Sequence, residues 1–408
     1  MQRIDGGVTA AKGFKATGLA VGIKNGSSKK DMAMVYCDVP CKVNATFTTN
    51  VVKAAPVKWD KDIVENVKVA QAVVANSGVA NACTGEEGME YCRQMAETTG
   101  KLLNIPANTV MVASTGVIGR QLPMDKINSG IEKMAPLLDY SLESGTLAAE
   151  AIMTTDTVSK QVAYETEIGG KTVRVGGMCK GSGMIHPNMC TMLAFITTDV
   201  NISDELLKKA VKESVNDTFN MITVDGDTST NDTFMCLADG LAENPEITEI
   251  NEDYNRFYEM LLAVNTFLAK KMAADGEGAS KLFEAKVINA KTKEDAKILS
   301  RAIVGSNLSK AAIFGCDANF GRFLCAMGYS GSVFNEEDVE LYFVSKNGKI
   351  KVFDKGTPIV FDEDEALKIM KADEVTVFVN MNEGDKEATA WGCDLTYDYV
   401  KINADYRS

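Results

Sequence analysis

From Ser203 to Asn380 the chain alternates amphipathic helical stretches with short apolar runs. Only layered packings of helices on sheets bury both kinds of surface at once. Ser203 predicts the N-cap of a helix carrying Leu206, Leu207, Ala210, Val211 and Val215. A second helix carries Phe257, Met260, Leu261, Val264, Phe267 and Leu268 at helical spacing and stops at Gly276. A third starts near Thr292, with Asp295 three residues on, and runs to about Val304. The runs Phe283–Ile288, Ala311–Phe314, Val339–Val344 and Val375–Asn380 read as strands. Thr389, Trp391, Cys393, Leu395 and Tyr397 alternate with smaller or polar residues, as a one-faced strand does. Earlier in the chain, Leu19–Ile23, Met32–Tyr36 and Val67–Val74 read as strands, and Thr84–Leu103 as a helix with Met89, Cys92, Met95 and Ala96 on one side. Val110–Ala113 reads as a buried strand ending in Ser114-Thr115-Gly116. The fold class expected is α/β, with α+β layers, and no repeat or Pro-rich linker marks a boundary.

A chain of 408 residues has core for about two or three domains, and its 45% apolar content suits a globular protein. The net charge of -13 and the lack of a Lys/Arg stripe exclude nucleic acid as a partner class. No run of about twenty apolar residues predicts a membrane span. Met1 to Asp5 lack the apolar segment of an export signal, so the expected compartment is the cytoplasm. Ten scattered cysteines without a CxxC pair read as reduced thiols. With one histidine, His186, a zinc site is not expected, and a Ser-His or Cys-His mechanism has one candidate base. His186 itself reads as a structural residue or as an aid to backbone geometry beside it. Asp225 to Asp232 has partly Ca-like spacing, but it lacks the terminal Glu of an EF-hand and reads as a turn or a site wall.

One segment concentrates chemical potential: Lys180-Gly-Ser-Gly-Met-Ile-His-Pro-Asn-Met-Cys-Thr191, followed by the apolar run Met192–Ile196. Gly181 and Gly183 permit tight turns, and Thr191 places a hydroxyl where a glycine-rich loop meets a core strand. Such a joint can hold a strained peptide bond against its own side chain, although a threonine at a strand edge suits a strand for ordinary reasons too.

The chain resembles the ornithine acetyltransferase family, the glutamate N-acetyltransferases of the arginine pathway. The resemblance rests on a series of segments in order: Gly6–Gly18, Thr46–Asn50 with Ala54–Val57, Ala75–Ala82, Ser114–Gly119, Ile152–Thr157, the segment around Thr191, Asp275–Lys281, Phe314–Arg322 and Tyr399–Ser408. Two positions depart from the family pattern. Cys190 stands where the family usually has Ala, and Ser408 where it typically ends in Thr.

The resemblance implies autocleavage between Cys190 and Thr191, giving an α segment, 1–190, and a β segment, 191–408. Both would share one core of helices and mixed β-sheets and assemble two of each as a heterotetramer. It implies that Thr191 is the nucleophile, carrying an acetyl group from N-acetylornithine to glutamate in ping-pong order and releasing ornithine and N-acetylglutamate. The freed α-amino group of Thr191 would be its base, since such a group ordinarily titrates at about 7.7, and this removes the need for a histidine. Thr115 and Gly116 would form the oxyanion site. Thr154, Lys180, Thr191, Glu277, Asn403 and Ser408 would bind substrate, with Lys180 facing a carboxylate and Glu277 the ornithine ammonium. Glu277 lies between Gly276 and Gly278, which lets its backbone approach a ligand. No cofactor is implied. Some family members also accept acetyl-CoA, and no single residue here decides that. Two other classes compete: a self-processing N-terminal-nucleophile aminopeptidase or amidohydrolase, with water as acceptor, and a non-catalytic binding protein.

Overall fold

The computed structural model describes residues 1–24, 26–186 and 192–405. Among these residues, fifteen strands are β1 Gln2–Ile4, β2 Phe14–Leu19, β3 Met32–Phe47, β4 Val69–Val79, β5 Val110–Val117, β6 Lys160–Ile168, β7 Lys171–Lys180, β8 Leu193–Thr198, β9 Thr233–Ala238, β10 Leu282–Ala290, β11 Glu340–Ser345, β12 Gly348–Asp354, β13 Thr357–Pro358, β14 Glu374–Asn380 and β15 Lys386–Cys393. Eleven α-helices among them are α1 Ala55–Asp62, α2 Glu87–Leu103, α3 Met124–Met134, α4 Leu142–Ala151, α5 Asp204–Asp217, α6 Glu252–Ala274, α7 Lys293–Gly305, α8 Asn307–Gly315, α9 Phe320–Gly328, α10 Glu363–Met370 and α11 Tyr397–Ala404.

The first nine strands form one mixed sheet, ordered β1-β6-β7-β8-β9-β3-β4-β5, with β2 also paired to β3. Strand β3 has three neighbours: Met32–Cys37 pair with β2, Met32–Tyr36 and, after a register break, Cys41 and Lys42 pair with β4, and Lys42–Phe47 pair with β9. The other six strands form a second mixed sheet, β13-β12-β11-β14-β10-β15. Helix α6 packs on strands of both sheets, and its Phe257, Met260, Leu261, Val264 and Leu268 are fully buried. Each such side chain contributes about 1.5–3 kcal/mol of burial. They belong to one core that also holds Val162, Val173 and Val175 from before the 190/191 junction and Phe283, Val377 and Ile303 from after it.

Local chemistry explains most boundaries. The Ser203 side chain accepts from Leu206 N and the Thr292 side chain from Asp295 N, so both expected caps exist. Three expectations fail. Ala311–Phe314 is not a strand but part of α8: Ser306 caps it by accepting from Ser309 N, and Cys316 closes it in the left-handed region at φ 53°. Leu19–Ile23 is not a strand beyond Leu19, because the N–H groups of Val21, Ile23 and Lys24 donate to the buried Asp31 carboxylate instead of a neighbouring strand. The alternation through Tyr397 stops at Cys393, after which Thr396 caps α11 by accepting from Tyr399 N. Helix α2 begins at Glu87, later than expected, and Met89 is exposed while Cys92, Met95 and Ala96 are buried. Cys37, Cys41, Cys92, Cys179, Cys236 and Cys393 are buried thiols. Among the described residues no helix is long and apolar enough to cross a membrane.

Candidate active site

Strand β7 ends at Lys180, which pairs with Leu193 at the start of β8. Strand β8 runs parallel to β9, with Leu193 level with Thr233. The end of β7 and the starts of β8 and β9 therefore meet at one edge. Strand β5 delivers Thr115 and Gly116 to the same place. Asn231, just before β9, ties it in by donating its side-chain amide to Ser114 O at 2.8 Å.

Between these ends lies a cavity of about 290 Å³ lined by Thr115, Gly116, Thr154, Lys180, Glu277 and Asn403. These are all six expected site residues that the structure describes. Cys190, Thr191 and Ser408, named from the sequence as cleavage, nucleophile and substrate positions, lie outside the described residues. Met192, the residue after Thr191, lines the cavity.

Gly116 has φ 129°, and a Cβ there would sit 2.3 Å from the Gly78 carbonyl carbon, so the close β4–β5 approach requires glycine. The Lys180 ammonium stands 3.5 Å from Thr115 Oγ1, at the long end of a hydrogen bond. Lysine only donates, so this contact leaves the Thr115 hydroxyl hydrogen available to a ligand. Burial pushes the Lys180 pKa down from its ordinary value, partly countered by Asp156.

Glu277 is pinned on both sides. Its N–H donates to Ser182 O at 3.0 Å, and its Oε2 accepts from Asn403 Nδ2 at 2.8 Å. A Cβ on Gly183 would lie 2.3 Å from the Glu277 carboxyl carbon, so glycine there admits the carboxylate.

Beneath the cavity lies a buried charge cluster that sequence reasoning does not single out. Lys160 Nζ bonds Asp156 Oδ1 at 2.7 Å and Asp275 Oδ2 at 2.5 Å. Asp156 also accepts from Thr154 N at 3.0 Å and Gly181 N at 2.7 Å. Burial alone would raise the Asp156 carboxyl, but Lys180 and Lys160 outweigh it and hold the group well below the usual carboxylate range. The cluster thus ties the loop carrying Thr154 to the loop after Lys180. Asp156 and Asp275 both fall inside segments that carry the family resemblance, which is the available signal.

The Asp225 to Asp232 stretch is the site wall expected of it, since Ser229 to Asp232 line the cavity. Asp225 accepts from Met184 N and Ile185 N. Asp232 is buried, and burial pushes its carboxyl well above the usual range. His186 is not among the cavity's lining residues. Its Nδ1 lies 3.0 Å from Thr223 Oγ1, and Arg301 donates to its Nε2 at 3.2 Å. That donation requires an unprotonated Nε2, and burial lowers the ring's pKa. The position suits the structural role read from the sequence.

The ArgJ family description matches residues 15–408. The chain belongs to the ArgJ family. ArgJ relatives share its whole length. The arginine biosynthesis bifunctional protein ArgJ of Caldanaerobacter subterraneus subsp. tengcongensis is 50% identical over 408 residues, all of both chains. ArgJ 1 of Clostridium acetobutylicum, also named an arginine biosynthesis bifunctional protein, is 51% identical over 401 residues, 98% of this chain and 97% of that one. Among solved structures, the ornithine acetyltransferase of Mycobacterium tuberculosis, complexed with ornithine, is 40% identical with a TM-score of 0.42, covering 46% of this chain and 98% of that one.

Proposed function

We propose that this ArgJ-family enzyme, an ornithine acetyltransferase of arginine biosynthesis, works through an acetyl ester on Thr191. The observation that carries the reading is the meeting of Thr115, Gly116, Thr154, Lys180, Glu277 and Asn403 in one cavity that Met192 also lines. Thr191 is bonded to Met192. Attack of the Thr191 hydroxyl on the Cys190 carbonyl would give an ester that water opens, leaving segments 1–190 and 191–408 joined by their common core. The new α-amino group, with an ordinary pKa of about 7.7, is then the base.

In the first half-reaction Thr191 Oγ attacks the acetyl carbonyl of N-acetylornithine, and its proton passes to the α-amine. Negative charge on the acetyl oxygen is met by the Thr115 hydroxyl and the Gly116 N–H. The C–N bond breaks, the proton goes to the departing nitrogen, and ornithine leaves. Glutamate enters, its neutral amine attacks the ester, and N-acetylglutamate leaves with Thr191 restored. Lys180 meets the substrate α-carboxylate, Glu277 the ornithine ammonium, and Thr154, Asn403 and Ser408 complete the site. A cytoplasmic setting and a heterotetramer of two α and two β segments belong to the same proposal.

The charged pair Lys180 and Glu277 favours an amino-acid ligand over the broad peptides of an aminopeptidase. Rates of ornithine release from N-acetylornithine, with and without glutamate, test the reading. Acetyl transfer that needs glutamate supports it, and glutamate-independent release of acetate supports a hydrolase.

A further inference from the structure

Among the described residues, three charged side chains line the active-site cavity: Lys180, Glu277 and Asp232. The reaction proposed above gives a partner to the first two, the substrate α-carboxylate to Lys180 and the ornithine ammonium to Glu277. Asp232 has none. It is 1% exposed, and its Oδ2 is buried without a hydrogen-bond partner among the described residues. Leaving a buried acceptor unpaired costs stability, so a carboxyl held this way at a cavity points to a ligand that pairs it.

The wall that carries Asp232 is fixed. Thr48 N donates to Asp232 O at 3.0 Å, Thr48 Oγ1 to Ser229 O at 2.8 Å, and Ala54 N to Thr230 O at 3.0 Å. Asp232 directly precedes β9, whose Thr233 N donates to Met192 O at 2.8 Å. Asp232 is therefore one strand away from the residue that follows the nucleophile. Across β8, Lys180 is level with Leu193, which is level with Thr233. Two strand spacings, about 10 Å, thus separate the backbones that carry Lys180 and Asp232. Across that gap the Lys180 charge acts on the Asp232 carboxyl. A cation and a carboxylate facing one cavity match the two charged groups on the α-carbon of a free amino acid. In the acetylated donor the α-nitrogen is a neutral amide. In glutamate it is an ammonium, which has no lone pair for attack.

Resting on the acetyltransferase reading above, we infer that Asp232 receives the α-ammonium of the acceptor amino acid and takes the proton that frees its lone pair. One proton passes from the glutamate ammonium to the Asp232 carboxylate. The neutral nitrogen then bonds the acetyl carbon, and the C–O bond to Thr191 breaks. Thr191 Oγ takes the electron pair and a second proton from the nitrogen. N-acetylglutamate leaves with one N–H, and Asp232 returns its proton to solvent. Burial that raises the carboxyl brings its proton affinity closer to that of an amine, which suits this transfer.

Asp232→Asn keeps the shape of the side chain and removes its charge, and the two half-reactions separate its effects. Discharge of the acetylated 191–408 fragment by glutamate is expected to slow at least about thirtyfold. The burst of ornithine from N-acetylornithine alone is expected to slow by less than about threefold, since the donor nitrogen there is an amide. Hydroxylamine, an acceptor already uncharged at neutral pH, is expected to discharge the variant far faster than glutamate does. Equal losses in both half-reactions, an undiminished discharge by glutamate, or an equal loss with hydroxylamine overturns the assignment. Should the variant fold or process poorly, inhibition of the wild type decides. Ornithine is expected to inhibit at least about tenfold more tightly than δ-aminovalerate, which is ornithine without its α-amine. Equal inhibition by the two overturns the assignment. Failure of the wild type to move acetyl from N-acetylornithine to glutamate overturns instead the function on which it rests.

Discussion

Lys160 Nζ lies 2.7 Å from Asp156 Oδ1, and both side chains are wholly buried. Asp156 in turn accepts the N–H groups of Thr154 and Gly181, so one ion pair sets the position of two cavity walls. Removing one partner leaves an uncompensated buried charge. Lys160→Met is expected to destabilise the protein by about 3–5 kcal/mol. Urea unfolding of the variant checks this, and a change below about 1 kcal/mol would contradict it.

Thr115→Val keeps the shape of the side chain and removes the hydroxyl. If that hydroxyl meets the oxyanion, kcat falls about 10²–10³-fold while KM for N-acetylornithine moves little. Steady-state kinetics separate the two parameters, and a pure KM effect would make Thr115 a binding residue instead.

Glu277→Gln retains an oxygen that can accept from Asn403 Nδ2 and discards the charge. The expected result is a fall of about 10–100-fold in kcat/KM for N-acetylornithine, carried by KM. N-acetylglutamate, which has no ammonium at that end, is the control substrate in the reverse direction, and an equal loss with it would contradict the assignment.

Burial pushes the Asp239 carboxyl up to about 6, against the bonds from Leu241 N and the Cys37 thiol. A carboxyl raised in the folded state takes its proton more readily there than in the unfolded chain. Its cost to stability is absent below about pH 4, grows up to about pH 6 and stays constant above. Asp239→Asn is therefore expected to stabilise the protein by about 1 kcal/mol near pH 8, allowing for its partial exposure, and to do nothing near pH 4. Thermal melts across that range check the sign.

Much of this is legible in the sequence where one local rule suffices. The caps at Ser203 and Thr292 need only a hydroxyl before an amphipathic run, and both exist. The apolar run Ala311–Phe314 misleads because four apolar residues fit a buried strand or one helical turn equally, and only the flanking Ser306 and Cys316 decide. Leu19–Ile23 misleads because its backbone partner is a side chain, Asp31, and not a strand. The site residues Thr115, Gly116, Thr154, Lys180, Glu277 and Asn403 are reached through family resemblance, since they are spread over most of the chain and no spacing rule joins them. The Lys160, Asp156 and Asp275 cluster escapes for a related reason: a charge 115 residues away from Lys160 reads as solvated until the fold buries both.

The most direct test of an acetyl ester on a self-cleaved Thr191 is the denatured mass of the purified protein with and without N-acetylornithine. Two fragments that break between Cys190 and Thr191 are expected, with the 191–408 fragment one acetyl group heavier after substrate. A single full-length species that substrate leaves unmodified, together with a Thr191→Ala variant indistinguishable from wild type in mass and rate, would contradict it.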